Sequence, residues 1–307
     1  MFPVLPQKWL RASLLVVFLF FSFDSSADLS LQASHATTAA SGDHILVGAG
    51  DIGACNTRGA KQTGALLDHI PGTVFTAGDN AYPDGTLKNF ADCYHPFWGR
   101  HRSRTRPAPG NHDYHVASAP GYFAYFGPSA GDPAQGYYSY QLGSWRIFVL
   151  NSNCDQVGGC QPGSPQEQWL RAELARHSAP CTLAIWHHPR FSSGHHGNFE
   201  PVQPFWQALW EAGADVVLTG HDHDYERLAP MDATGRRDPA SGLRQFVVGT
   251  GGARLRSFRP FVLESSEARN SKAWGVLKLT LRERSYDWEF IPVPGQIFRD
   301  SGSSPCH

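Results

Sequence analysis

Lysine and methionine are scarce in this sequence, with 5 Lys and 2 Met among 307 residues. Arginine carries the basic side. Lys and Arg total 26 against 27 Asp and Glu, a formal charge of −1. That balance excludes a strongly basic nucleic-acid binder and an acidic tail protein. No Cys-x-x-Cys pair occurs, which argues against a zinc ribbon. No Asn-x-Ser/Thr acceptor occurs either. Apart from one short stretch near the start, no apolar run approaches membrane length. There is no internal repeat and no long linker. What is present is core-forming bulk, 41% hydrophobic and 12% aromatic, together with 15 histidines.

The short apolar stretch runs from Ala12 to Phe23 behind Lys8 and Arg11, and ends at Ser25-Ser26-Ala27. A charged start, a run too short to span a bilayer and small residues at the exit predict a secretory signal peptide over 1–27. The polar residues 28–42 are expected to form a flexible leader. Residues 43–307 are expected to form a single catalytic domain, exported to the periplasm or the extracellular medium, with no membrane association after cleavage. Six cysteines remain: Cys55, Cys93, Cys154, Cys160, Cys181 and Cys306. An even count in an exported chain predicts disulfides. The short turn-forming spacer singles out Cys154–Cys160; the other pairings stay open.

Apolar runs bounded by Gly and Pro predict strands at Ile45–Gly48, Val74–Ala77, Thr105–Ala108, Tyr137–Leu142, Trp145–Asn151, Leu183–Trp186, Val216–Thr219, Phe246–Gly249, Val276–Leu281 and Tyr286–Ile291. Helices are expected at Gly59–Ile70, Leu87–Trp98, Gln166–His177 and Val202–Ala212. Ser164, Pro165 and Glu167 form a capping signature for the third. Arg100, Arg102, Arg104 and Arg106 alternate as one strand face would. The order predicts an α/β (α+β) domain of mixed sheets, parallel early and antiparallel late, covered by helices.

Five segments share one layout, an apolar strand followed at once by metal-type ligands. They end at Gly50-Asp51, Gly78-Asp79, Gly110-Asn111-His112-Asp113, His187-His188 and Gly220-His221-Asp222-His223. In a sheet with right-handed crossovers such strand ends gather on one rim. His221 and His223, two apart in an extended stretch, face one side. Carboxylate and amide oxygens mixed with imidazoles suit first-row transition ions. The ligands are too many for one four-coordinate ion, so two metals sharing Asp79 fit better.

Gly50-Asp51-x-Gly53, Gly78-Asp79-x-x-Tyr82, Gly110-Asn111-His112-Asp113, the His187 segment and Gly220-His221-x-His223 resemble the five ordered motifs of the calcineurin-like metallophosphoesterases. Tyr82 is similar to its counterpart in the purple acid phosphatase branch. The resemblance implies a four-layer α-β-β-α sandwich and hydrolysis of phosphoric monoesters by a binuclear centre with a metal-bound hydroxide nucleophile. It implies Fe(III) at Asp51, Asp79, Tyr82 and His223, and Zn, Fe or Mn(II) at Asp79, Asn111, His187 and His221. Charge counting agrees. Two divalent ions against two carboxylates, a tyrosinate and a bridging hydroxide sum to zero, whereas one trivalent ion leaves a positive charge for phosphate.

His112 is the expected proton donor to the leaving group, with Asp113 orienting its ring. The resemblance also implies a histidine eight or nine residues after His187, a range that holds both His195 and His196, with His196 favoured. His188 is expected to point away from the ligands. Asp222, Asp224 and Glu226 are expected to support the site or face solvent. Tyr122-Phe123-Ala124-Tyr125-Phe126 fits either a cleft wall or the core. The Gly249–Gly252 run lacks the dinucleotide-binding spacing. The expected partner is a small phosphorylated substrate, with no stable nucleic-acid partner. Phosphodiester or nucleotide hydrolysis on the same fold, and a non-enzymatic metal-binding module, are the alternatives.

Overall fold

The computed structural model describes residues 42–307. The expected signal peptide, and the leader up to residue 41, lie outside the described residues. Two mixed sheets form the frame. In the first, β1 (His44–Ala49), β2 (Thr73–Ala77) and β3 (Thr105–Ala108) run parallel. β1 also pairs antiparallel with β11 (Gly275–Leu281), and the sheet continues through β12 (Ser285–Pro292) to β13 (Asp300–Pro305). The second sheet runs in the order β4 (Tyr138–Leu142), β5 (Trp145–Val149), β6 (Cys181–Ile185), β7 (Val216–Thr219), β9 (Arg244–Val248), β8 (Tyr225–Leu228) and β10 (Ser266–Asn270). Its four inner strands are parallel, and β4, β8 and β10 pair antiparallel.

The period of two along each strand sorts side chains into two cores. Ile147 and Val149 of β5, Leu183 and Ile185 of β6, and Val216 and Leu218 of β7 face the first sheet. There they meet Leu277, Leu279 and the aromatic face of β12, where Tyr286 packs edge-on against Trp145 and Trp288 against Phe246. The alternate residues Phe148, Ala184 and Val217 pack outward. They lie in one cluster with Leu170 of α4 (Pro165–Arg176) and Phe205, Trp206 and Leu209 of α5 (Gln203–Glu211). α1 (Gly59–Leu67) packs on the first sheet through buried Ala60 and Leu67. The expected sandwich of mixed sheets and helices is what these contacts build.

Local differences have local causes. The expected helix at Leu87–Trp98 breaks into α2 (Leu87–Asn89) and a wider turn over Phe90–Tyr94, because Pro96 lacks the N–H a longer helix needs. The four arginines do not share a strand face: Gly99–Arg104 is a 3₁₀ turn, in which Arg100 pairs with Asp68 and Arg104 holds the carbonyl oxygens of Leu67 and Gly72. At α4 the Ser164 hydroxyl makes no cap; Glu167 instead accepts from the Gly163 N–H at 2.9 Å. The aromatic run becomes a helix, α3 (Pro120–Phe126), buried in the core. Disulfides join Cys154 to Cys160, as the spacing predicts, Cys55 to Cys93, and Cys181 to Cys306. The last ties the start of β6 to the residue after β13, linking the two sheets. No helix among the described residues is long and apolar enough to cross a membrane.

Candidate metal centre

Asp51, Asp79, Asn111, His187, His221 and His223 all follow the carboxyl ends of β1, β2, β3, β6 and β7. The chain leaves the strands sharply. Asp51, Asp79 and His221 have φ of 59°, 51° and 69°, a left-handed conformation uncommon for side-chain-bearing residues. Gly78, at φ 85°, leaves the space the His187 ring occupies; a Cβ there would lie 2.4 Å from Nδ1. A Cβ on Gly110 would lie 2.2 Å from the Asp79 carboxylate. Backbone N–H groups then fix the carboxylates: His112 donates to Asp79 Oδ1 and His221 to Asp51 Oδ2, both at 2.8 Å.

The side chains converge in two groups. In the first, the Tyr82 hydroxyl lies 2.9 Å from Asp51 Oδ1, 3.0 Å from Asp79 Oδ2 and 3.2 Å from His223 Nε2. In the second, His187 Nε2 lies 3.0 Å from Asn111 Oδ1, 3.2 Å from His221 Nδ1 and 3.4 Å from Asp79 Oδ1. Asp79 thus presents one oxygen to each. The outer nitrogens are already used: His187 Nδ1 donates to the Ala77 carbonyl and His223 Nδ1 to that of Arg254, each at 2.8 Å. Once deprotonated, rings so held aim lone pairs inward, toward oxygen lone pairs. A cation resolves that clash, and a carbonyl behind a ring nitrogen is a usual support for a metal-binding histidine. Asp51, Asp79 and His187 also satisfy the mutual proximity a metal needs.

The charges are consistent with this. Burial disfavours the His187 cation, yet the charge and hydrogen bond of Asp79, with help from Asp51, lift the ring to about 9. Burial likewise opposes charge on Asp79, but His187, His112 and His221 hold its carboxyl below the usual range. Burial, then the charges of Asp51 and Asp79, push the Tyr82 phenol well above its ordinary value. Among the described residues no lysine or arginine pairs with Asp51 or Asp79, so the centre favours positive charge, and a metal cation fits it.

His112 stands at the rim, its ring 4.4 Å from that of Tyr82 and its Nε2 3.9 Å from Asp79 Oδ2. Its Nδ1 donates to the Pro83 carbonyl at 2.6 Å. Asp113 does not orient this ring. Fully buried, it accepts from the N–H groups of Gly110 and Asn80 and from the Asn80 amide at 2.9 Å. Adjacent in sequence, the two side chains leave the 110–113 turn in opposite directions. Burial, then the charge of Asp79, push Asp113 up to about 7.

Of the paired histidines, His196 reaches the centre, its ring 4.3 Å from that of His221. His195 is exposed and is not brought to either group. His188 does not point away from the ligands: its ring lies 4.4 Å from that of His221, close enough to form a cluster with His187 and His221, while its Nδ1 lies 2.8 Å from the Ser152 hydroxyl and its ring stacks on Phe199. Asp222 and Glu226, both fully buried, shape the loop that carries His196. Asp222 accepts from the His196 N–H at 2.6 Å and Glu226 from the Ser193 N–H at 2.8 Å. The Gly249–Gly252 run, whose spacing excludes only a dinucleotide-binding loop, belongs to the centre. It packs behind Asp51, whose carbonyl accepts from the Ala253 N–H at 2.7 Å. The cluster of glycines directly after a strand was the available signal.

A sandwich of two mixed sheets, with carboxylates and imidazoles gathered at the strand ends of both, is the arrangement of a metal-dependent phosphoesterase. A family model described as calcineurin-like phosphoesterase matches residues 45–225, and the chain belongs to that family. Purple acid phosphatase 18 of Arabidopsis thaliana is 29% identical over 148 residues, covering 46% of this chain and 31% of that protein. Purple acid phosphatase 21 of the same plant is 28% identical over 189 residues, covering 56% and 42%. The chain thus spans less than half the length of these relatives. Among solved structures, the purple acid phosphatase PPD1 from yellow lupin seeds has a TM-score of 0.73 at 20% identity, over 85% of this chain and 53% of that one. GAP50, the anchor in the inner membrane complex of Plasmodium, has a TM-score of 0.68 at 12% identity, over 86% and 89%. At these identities the likeness to solved structures is one of fold.

Proposed function

We propose that this protein hydrolyses phosphoric monoesters at a two-metal centre. The observation that carries the reading is the division of donors into two groups, with one oxygen of Asp79 in each. Asp51, Asp79, Tyr82 and His223 would hold Fe(III), and Asp79, Asn111, His187 and His221 a divalent Zn, Fe or Mn ion. Bound ions supply Lewis acidity, which lowers the pKa of water and clamps the phosphoryl oxygens. The chain's own residues do the rest. His112, fixed through Nδ1, aims Nε2 at the centre and gives a proton to the leaving oxygen. His196, held by Asp222, lines the opposite side and orients the phosphoryl group. A fold alone does not define an activity, so the complete donor set bears the weight. We further read residues 43–307 as one catalytic domain exported behind a cleaved 1–27 signal.

Hydrolysis of p-nitrophenyl phosphate beside bis(p-nitrophenyl) phosphate tests the substrate class. A large monoester preference is expected from protein of known metal content. Diester preference would overturn the monoester reading and leave the centre in place. Tyr82→Phe tests the ferric assignment. Tyrosinate bound to Fe(III) colours a protein, so wild type is expected to show a visible band that the variant lacks. A colourless, fully active wild type would make both ions divalent.

A further inference from the structure

Two cavities flank the centre, and they differ in chemistry. One, of about 430 Å³, lies beyond Asn111 and His188 and is lined by Ser152, Asn153, Asp155 and Gln156, with no cationic side chain other than histidine. The other, of about 540 Å³, is lined by Tyr82, His112 and His223 together with Arg254 and Arg256. Its volume suits a small-molecule ligand larger than phosphate. Among the described residues, Arg254 makes no side-chain hydrogen bond and neither arginine has a carboxylate within salt-bridge distance. Arg256 donates to His196 Nε2 at 2.8 Å. The one acidic residue lining this cavity, Asp92, is paired with Lys88 at 2.6 Å.

The proton donor decides which way the leaving group points. His112 lines the arginine cavity and not the other, so the alcohol portion of the ester lies toward Arg254. The Arg254 carbonyl accepts from His223, which fixes this stretch of backbone against the centre while leaving the guanidinium exposed. A guanidinium is a planar fork that matches phosphate oxygens two at a time.

We infer that this cavity binds a second phosphate carried on the leaving group, so that the preferred substrates are bisphosphorylated small molecules, with Arg254 as the residue that selects them. The inference rests on the monoesterase reading above. The reaction is unchanged: water adds to one phosphorus, the ester P–O bond breaks, the leaving oxygen takes a proton, and the released alcohol keeps its second phosphate on another oxygen.

The test compares kcat/KM for fructose 1,6-bisphosphate and fructose 6-phosphate, with p-nitrophenyl phosphate as reference, in wild type and R254Q. Wild type is expected to prefer the bisphosphate by about 10-fold or more, the size of one charge-assisted contact, and R254Q to bring that ratio close to unity. Lys at the same position is expected to restore part of the preference. Equal rates on the two sugars in wild type would overturn the inference. So would a loss in R254Q of the same factor on all three substrates. If p-nitrophenyl phosphate is hydrolysed while the sugar preference fails, only this inference falls. If none of the esters is hydrolysed, the monoesterase reading falls and takes this one with it.

Discussion

Replacing Asp79 with alanine is expected to lower phosphoester hydrolysis by more than about 100-fold and to empty both metal positions together. Removing an outer partner of a metal ligand already costs roughly 10–100-fold, and Asp79 stands closer than that. Its two oxygens lie in different donor groups, 3.0 Å from the Tyr82 hydroxyl and 3.4 Å from His187 Nε2. Asp51 offers Oδ1 to the side chains of the first group, Tyr82 and His223, while its Oδ2 is taken up by the backbone N–H of His221. Metal analysis of Asp79→Ala beside Asp51→Ala therefore separates a shared ligand from an ordinary one. About two equivalents should vanish in the first variant and about one in the second. A single equivalent lost from Asp79→Ala, or full activity in it, would remove the shared-ligand assignment.

His112→Ala is expected to cost about 10²–10⁴-fold on an alkyl phosphate and far less on p-nitrophenyl phosphate. An alkoxide leaves poorly without a proton, whereas nitrophenolate is stable when it departs. The donor hydrogen bond from Nδ1 to the Pro83 carbonyl fixes the ring and turns Nε2 toward the substrate side. Measuring kcat on glycerol phosphate and on p-nitrophenyl phosphate gives the comparison. An equal loss on both would show that the ring binds the phosphoryl group rather than protonating the leaving oxygen.

The candidate ligands were legible because each follows a short apolar strand, often after a glycine, and strand ends of an α/β sheet share a rim. The elements that escaped notice lack the pattern such reading depends on. β13 contains no apolar side chain before its proline; its pairing with β12 and the neighbouring Cys306 bridge hold it in place. β8 follows directly on His221–Asp224, whose polar residues hide the start of a strand. α3 buries four aromatic residues and shows solvent only Pro120 and Ala124, neither of them charged, so no polar stripe marks an amphipathic period. Asp113 was misread because adjacency along a chain says little about adjacency of side chains. Arg254 and Arg256 sit on a loop after β9, far from every motif in sequence. Hydrogen bonds from the Ala253 N–H to the Asp51 carbonyl, from His223 to the Arg254 carbonyl and from the Arg256 N–H to the His223 carbonyl bring that loop to the centre.

The Cys181–Cys306 bridge bears on how the molecule presents itself to its surroundings. Cys181 opens β6, and the same strand leads at its other end to His187. The covalent fastening and the working rim are thus opposite ends of one strand. Tethering through the neighbourhood of residue 306 would hold the protein by its fastened end and turn the rim outward. Immobilised this way on a bead or a surface, the molecules would share one orientation, each with its arginine-lined cavity facing the solution.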